Sequence, residues 1–178
     1  MKIDRMKILP LILTGIIIII DQITKAIIAS NWPASRGDVI TDVFNNEFLQ
    51  IIHVRNKAIA FSLGNSLPDA VKPVLFVVLP LLVLFALVWY YLRSDDFTNL
   101  QRWAVAGILG GGIGNIIDRI FRPEGVVDFI DVKFYGLFGM ERWPTFNVAD
   151  SSVVVCCILL FVSIIFTGRK TKEVQLNE

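Results

Sequence analysis

Two aspartates near the end of the chain, Asp128 in Val126-Val127-Asp128-Phe129 and Asp150 in Phe146-Asn147-Val148-Ala149-Asp150-Ser151, stand against apolar segments suited to lipid. An ionised carboxylate at membrane depth is costly, so such a group marks a functional site by default. When two carboxylates share a site, their pKa values are driven apart, and one can be ionised while the other keeps its proton. The first can then take a proton from water and the second can polarise a carbonyl. Other chemistries lack their residues. His53 is the only histidine and has no obvious serine partner, so it reads as a surface residue and a serine nucleophile has no base. No His-Glu-x-x-His occurs. The adjacent Cys156 and Cys157 point in different directions on a helix, which gives neither a disulfide framework nor a metal pair. Neither a metal nor another cofactor is expected.

The elements that must position these carboxylates follow from composition. Of 178 residues, 54% are hydrophobic and 19% charged, and the apolar residues come in blocks, which makes lipid the expected solvent. A formal net charge of +1 carries no nucleic-acid footprint. Four segments are long enough to cross about 30 Å of hydrocarbon: approximately 8–29, 71–92, 100–121 and 145–168. The expected fold is therefore an all-α membrane protein with four transmembrane helices, residues 1–178 forming one membrane-embedded unit. Lys2, Arg5 and Lys7 before the first run also fit a signal peptide, but no A-x-A site follows, so a resident span is expected. The outer loop 30–70 is too long for a simple connection. Within it, Val39–Val54 is rich in β-branched and aromatic residues broken at Asn45-Asn46, which predicts a small sheet or hairpin on the outer surface. Pro80 is a possible kink in an otherwise uncharged second span.

Basic residues set direction. Lys2, Arg5 and Lys7, then Arg93 and Arg102, then Arg169, Lys170 and Lys172 fall on one side of four crossings, which places both termini in the cytoplasm. Trp89, Tyr90, Tyr91 and Trp103 fit an inner aromatic belt, Trp32 and Trp143 an outer one. In this orientation every charged side chain within a span lies toward the outer face: Asp21 and Lys25 in the first, Asp118 and Arg119 in the third with Asn115, and Asp150 in the fourth with Asn147. Asp21 and Lys25, spaced i,i+4, suit an intrahelical ion pair, and substrate contact is the alternative. Asn115, Asp118 and Arg119 share a helix end, where they suit support of a catalytic group or of the following loop. Gly107, Gly111, Gly110 and Gly114 have the small-xxx-small spacing of close helix contacts in lipid, and no strand or Gly-Lys-Ser/Thr makes them a phosphate loop. A proton- or ion-coupled transporter would need polar groups continuing inward, where the spans hold only Thr14, Ser163 and Thr167. A structural scaffold leaves the outer clustering unexplained.

Asp21-Gln22-x-Thr24-Lys25, Asn56-x-x-x-Ala60-Phe61-Ser62, Gly114-Asn115-x-x-Asp118-Arg119, Val127-Asp128-Phe129 and Phe146-Asn147-x-Ala149-Asp150-Ser151 resemble, in order, the motif blocks of the lipoprotein signal peptidase family. The resemblance spans nearly the whole chain. It implies an aspartyl endopeptidase of the bacterial cytoplasmic membrane, with a small extracytoplasmic sheet, a short outer helix and an active site near the outer face. Its substrates would be diacylglyceryl-modified prolipoproteins within membrane lipid, cut before the lipidated cysteine. By motif match Asp128 and Asp150 correspond to the catalytic pair. Asn56, Asn115, Arg119 and Asn147 would contact or frame substrate, with Asp118 supporting. The family's Asn-x-Gly-Ala-Ala-Phe reads Asn56-Lys57-Ala58-Ile59-Ala60-Phe61 here, a departure that changes the local loop shape.

Overall fold

The computed structural model describes residues 5–35, 38–57, 68 and 71–176. A single turn, α1 (Arg5–Ile8), precedes α2 (Leu11–Asn31). Strands β1 (Val39–Asp42) and β2 (Leu49–Asn56) follow, then α3 (Leu79–Arg93), α4 (Asn99–Phe121), β3 (Val126–Val132) and α5 (Val148–Leu176). Among the described residues four helices have the length and apolarity to cross a membrane: Leu11–Asn31, Val74–Arg93, Asn99–Phe121 and Val148–Thr167. The boundaries differ from expectation where local chemistry intervenes. Pro10 sits at the N-cap of α2 and separates it from α1, because its ring and missing N–H cannot lie inside a helix. The expected kink at Pro80 is a π-helical turn, Val74–Val78, running directly into α3, with the Leu79 N–H bonded to the Val74 carbonyl. A wider turn there absorbs the donor that Pro80 lacks.

Lipid inverts the usual burial pattern. Ile12, Ile16, Ile19, Ile23 and Ile27 of α2 are exposed, as are Phe85 of α3 and Phe161 of α5, while Asp21, Lys25, Asp118 and Asn147 are completely buried. The helix at the centre is α4, which starts at a capping box formed by Thr98 and Gln101. Its glycines face its neighbours as the spacing predicts. Gly107 packs against Cys156 and Ser152, and Gly111 against the Ala149 carbonyl and Val153, both on α5; Gly110 packs against Ile17 and Gly114 against Asp21, both on α2. Close approach lets hydroxyls bond across helices, from Thr14 Oγ1 to the Ala106 carbonyl at 2.7 Å and from Ser152 Oγ to the Gly107 carbonyl at 2.9 Å. At the α1 end of the bundle Tyr91 is buried rather than part of an aromatic belt. Its hydroxyl donates to the Lys7 carbonyl, and the Arg102 guanidinium lies 5.6 Å from its ring centre.

At the opposite end the sheet has the order β1-β2-β3, all antiparallel. The expected hairpin is present, and β2 runs on to Asn56 to pair with β3, where Val54 faces Asp128 and Asn56 faces Val126. Val126–Phe129, which falls between the expected third and fourth spans, is therefore strand. His53, expected at the surface, is buried in β2 with Nδ1 2.8 Å from the Trp32 carbonyl. Ile28, Val127 and Phe129 form a core under the sheet. One further link ties sheet to bundle: the Phe146 carbonyl accepts from the N–H groups of Phe129 and Ile130, and the Phe146 N–H donates to the Ile130 carbonyl. After β3 the loop contains a 3-10 turn, Leu137–Gly139.

A methyl group on Gly111 would collide with the Ala149 carbonyl, which is backbone and cannot swing away. Gly111→Val should separate α4 from α5, lowering folded yield and costing about 1–3 kcal/mol or more. Melting of the purified protein in detergent measures it, and an unchanged midpoint would refute the close contact.

Candidate active site

Asp128 is on β3 and Asp150 is in the first turn of α5, and the Phe146 bridge brings these two elements together. Local chemistry fixes Asp150. Asn147 precedes α5 and its Oδ1 accepts from the Asp150 N–H at 2.9 Å, while Asp150 Oδ2 accepts from the Asn147 N–H at 3.2 Å. This is a capping box, in which two helix-end donors are satisfied reciprocally. It also explains why α5 begins at Val148 and not near Thr145.

Asn147 has its Nδ2 left for other work. It donates to Asp128 Oδ1 at 2.7 Å and to Asn115 Oδ1 at 3.2 Å. Asn115 in turn donates from Nδ2 to Asp150 Oδ1 at 2.7 Å. The other oxygen of Asp128 accepts from Asn56 Nδ2 at 2.9 Å. That contact follows from strand register: Asn56 lies two residues beyond Val54, the partner of Asp128, and so shares its face diagonally. The expected pair is thus joined through two asparagines, Asn147 and Asn115, with Asn56 on the far oxygen of Asp128, and amides supply these hydrogen bonds to both carboxylates. Asp128 is 3% exposed. Burial, then the charge of Asp150, pushes its carboxyl up to about 7, against the opposing pull of the Asn56 and Asn147 bonds.

Behind the asparagines lies Lys25, whose ammonium is 2.9 Å from Asp21 Oδ2, 3.1 Å from Asp118 Oδ2 and 3.0 Å from Asn115 Oδ1. The expected i,i+4 ion pair is present, with a second carboxylate added from α4. Because Asn115 Oδ1 accepts from both Lys25 and Asn147, its Nδ2 is left to face Asp150. Asp21 Oδ1 accepts from the Ala149 N–H at 3.0 Å, and Asp118 Oδ2 from the Val127 N–H at 3.2 Å. These anions therefore hold the start of α5 and the start of β3. Gln22 Nε2 bridges Asp21, Asp118 and the Gly114 carbonyl, and Arg122 pairs with Asp118. The i,i+4 spacing of Asp118 and Arg122 was the available signal for that last contact. Arg119 feels the charges of Asp128 and Asp150. Its guanidinium lies over the Phe76 ring at 5.4 Å from the centroid, lining a cavity of about 330 Å³ that Asn56 also borders. The altered motif positions Ala58 and Ile59, with Ala60, Phe61 and Ser62, lie outside the described residues.

Known proteins share both sequence and shape with this chain. The family described as signal peptidase (SPase) II matches residues 13–166. A lipoprotein signal peptidase of Treponema denticola is 49% identical over 168 residues, 94% of each chain. One of Treponema pallidum is 42% identical over 174 residues, 98% of this chain and 90% of that one. Among solved structures, a bacterial membrane enzyme determined by the in meso method superposes with a TM-score of 0.73 at 30% identity, covering 88% of this chain and 87% of that one.

Removing Asp21 leaves the buried Lys25 with one carboxylate and frees the Ala149 N–H. Breaking a buried pair costs about 3–5 kcal/mol, so Asp21→Ala should lower the melting temperature and the folded yield. Turnover per folded molecule should persist, because Asp21 bonds neither Asp128 nor Asp150. Normal melting with abolished turnover would instead place Asp21 among the reacting groups.

Proposed function

The chain belongs to the signal peptidase II family, and we propose that Asp128 and Asp150 are the aspartyl pair with which this membrane peptidase cleaves diacylglyceryl-modified prolipoproteins before the lipidated cysteine. The observation that carries the reading is the amide cage. Two carboxylates, Asp128 buried and Asp150 half-buried, are linked by Asn147 and Asn115, and with Asn56 these amides donate to the pair without neutralising it as a bonded cation would. With its carboxyl raised to about 7 by burial and by Asp150, Asp128 is protonated in about half of the molecules at neutral pH and in most of them below it. Asp150 is then the base. It takes a proton from water as the water oxygen bonds to the scissile carbonyl carbon, and Asp128 gives its proton to the carbonyl oxygen. When the C–N bond breaks, the proton on Asp150 passes to the departing amine of the cysteine, a hydroxyl of the gem-diol returns its proton to Asp128, and the carbonyl re-forms as the new carboxyl group. Each asparagine is already committed on its acceptor or donor side, so the cage does not reorganise during these transfers.

Arg119 and Asn56, at the border of the adjoining cavity, would position the peptide, with Lys25, Asp21 and Asp118 supporting from behind. The basic residues at the inner ends of the spans support cytoplasmic termini and an active site near the outer face of the bacterial cytoplasmic membrane. Water reaches a carboxylate pair at such a boundary while the low dielectric keeps the two pKa values apart.

Asp128→Asn and Asp150→Asn are nearly isosteric, so melting should stay close to wild type while cleavage of a lipidated precursor falls by about 10²–10⁴-fold or more. The double variant should be little worse than either single one, because the pair acts as a unit. Near-normal cleavage by either folded single variant would falsify the pairing.

The pH profile supplies a separate test. Asp128, ordinarily near 3.8, is protonated in the fold up to about 7. Below that point the acid is present; above it both carboxylates are ionised and the carbonyl loses its proton donor. The cleavage rate of the wild type should therefore decline as pH rises through about 7, and a rate still climbing well above that value would assign the proton elsewhere.

A further inference from the structure

The second membrane-crossing helix, Val74–Arg93, is turned almost wholly outward, and only Phe76, 4% exposed, and Tyr91 are buried along it. The two rings stand at its opposite ends, and each carries an arginine of α4. Arg102 lies 5.6 Å from the centre of the Tyr91 ring and Arg119 lies 5.4 Å from that of Phe76. A guanidinium at such a distance is drawn to the ring face. At the Tyr91 end Arg102 is itself buried and the tyrosine hydroxyl donates to the Lys7 carbonyl, so that contact fastens helix to helix. At the Phe76 end Arg119 borders a cavity, and Phe76 and Asn56 line it too. Phe76 owes its setting to Pro80. In a regular helix the Phe76 carbonyl would accept from residue 80, and proline has no N–H to give. The turn Val74–Val78 is π-helical instead, and within it Phe76 is the buried residue while Val74, Val78 and Leu79 are exposed.

We propose that Phe76 is a positioning residue of the peptidase, its ring holding the Arg119 guanidinium at the cavity so that the arginine meets the peptide in one orientation. This rests on the reading that Arg119 positions the peptide there. An arginine has a long side chain with many rotamers, and fixing it before substrate arrives removes an ordering cost that binding would otherwise carry. The guanidinium is also planar, so a ring against its face keeps the donors along its edge in one direction. An aliphatic side chain at position 76 would fill the space and exert no such attraction. The ring, and not its bulk, is therefore what the site uses. The second span thereby contributes to substrate recognition although it bears no group that bonds either aspartate.

The test compares Phe76→Leu, Phe76→Tyr and Tyr91→Leu with wild type, each as the full chain in nanodiscs, with a diacylglyceryl precursor peptide as substrate. Affinity for the same precursor is read separately on the Asp150→Asn background, where cleavage does not interfere. Per folded molecule, Phe76→Leu should raise KM and the dissociation constant roughly tenfold, the loss of one partly desolvated cation–π contact, and leave kcat within about twofold. Phe76→Tyr keeps the ring and should bind as wild type does. Tyr91→Leu loses the matching contact at the other end of the helix and should melt earlier with KM unchanged. Because Phe76 acts through Arg119, Arg119→Gln should weaken binding, and Phe76→Leu should weaken it no further in that background. Should Phe76→Leu not fold, Phe76→Met removes the ring with the flexibility to refill its space. Normal affinity in the folded ringless variant overturns the proposal. So does an equal loss in Phe76→Tyr or Tyr91→Leu, or losses at Phe76 and Arg119 that add. Wild-type affinity in Arg119→Gln overturns it by removing the reading beneath it. If wild type cleaves no precursor, the peptidase reading fails, and the affinities still decide the role of Phe76.

Discussion

The structure depends on a single ammonium group with no access to water. Lys25 is completely buried at membrane depth, so its charge must be met on every side or the fold is lost. Asp21 meets it from its own helix and Asp118 and Asn115 from α4. Each partner then spends its remaining acceptor or donor elsewhere: Asp21 on the first turn of α5, Asp118 on β3, Asn115 on Asp150. The local charge closes to zero, with Lys25 and Arg122 against Asp21 and Asp118. Solving one desolvation problem therefore fixes the relative positions of α2, α4, α5 and β3. Two of those elements, β3 and α5, carry Asp128 and Asp150.

The second constraint is distance between helix axes. Between helices lipid supplies no hydrophobic drive, so contact must come from close packing and from polar bonds. The glycines of α4 provide the approach, and Asp21 can reach over Gly114 to the Ala149 N–H because no side chain stands between α2 and α5 there. Packing and polar network are thus the same device seen at two heights in the bundle. Buried glycines in the middle lead to buried charges near the sheet.

Much of this was legible in the residue order. Long apolar blocks gave the four crossings, basic flanks gave a common face for the charged groups, and the spacing of Asp21 and Lys25 gave their pairing. Asn115 and Asp118 were expected as support, and the reach of Asp118 to β3 agrees. Misreadings arose where a local pattern admits two solutions. Val126–Val132 is a short apolar run to which the residue order assigns no element, because its periodicity does not identify a strand; pairing with β2, some seventy residues earlier, decides it. The same long-range pairing buried His53 and aimed Asn56 at Asp128. Tyr91 carries the composition of an aromatic belt, but its hydroxyl found a carbonyl inside the protein. Asn147 and Asp150 have the spacing of a helix cap, a signal that would have placed the start of α5 correctly.

The Phe146 bridge sets what the enzyme can tolerate from its surroundings. Bilayers differ in thickness, and a helix that no longer matches its bilayer tilts about whichever end is held. Here α5 is held at the end bearing Asp150, by backbone bonds from Phe146 to the strand that bears Asp128. Tilting swings the far end of the helix and leaves the two carboxylates almost in place, as a door moves at its handle and not at its hinge. Growth temperature and lipid chain length can therefore reshape the bundle without resetting the spacing of Asp128 and Asp150.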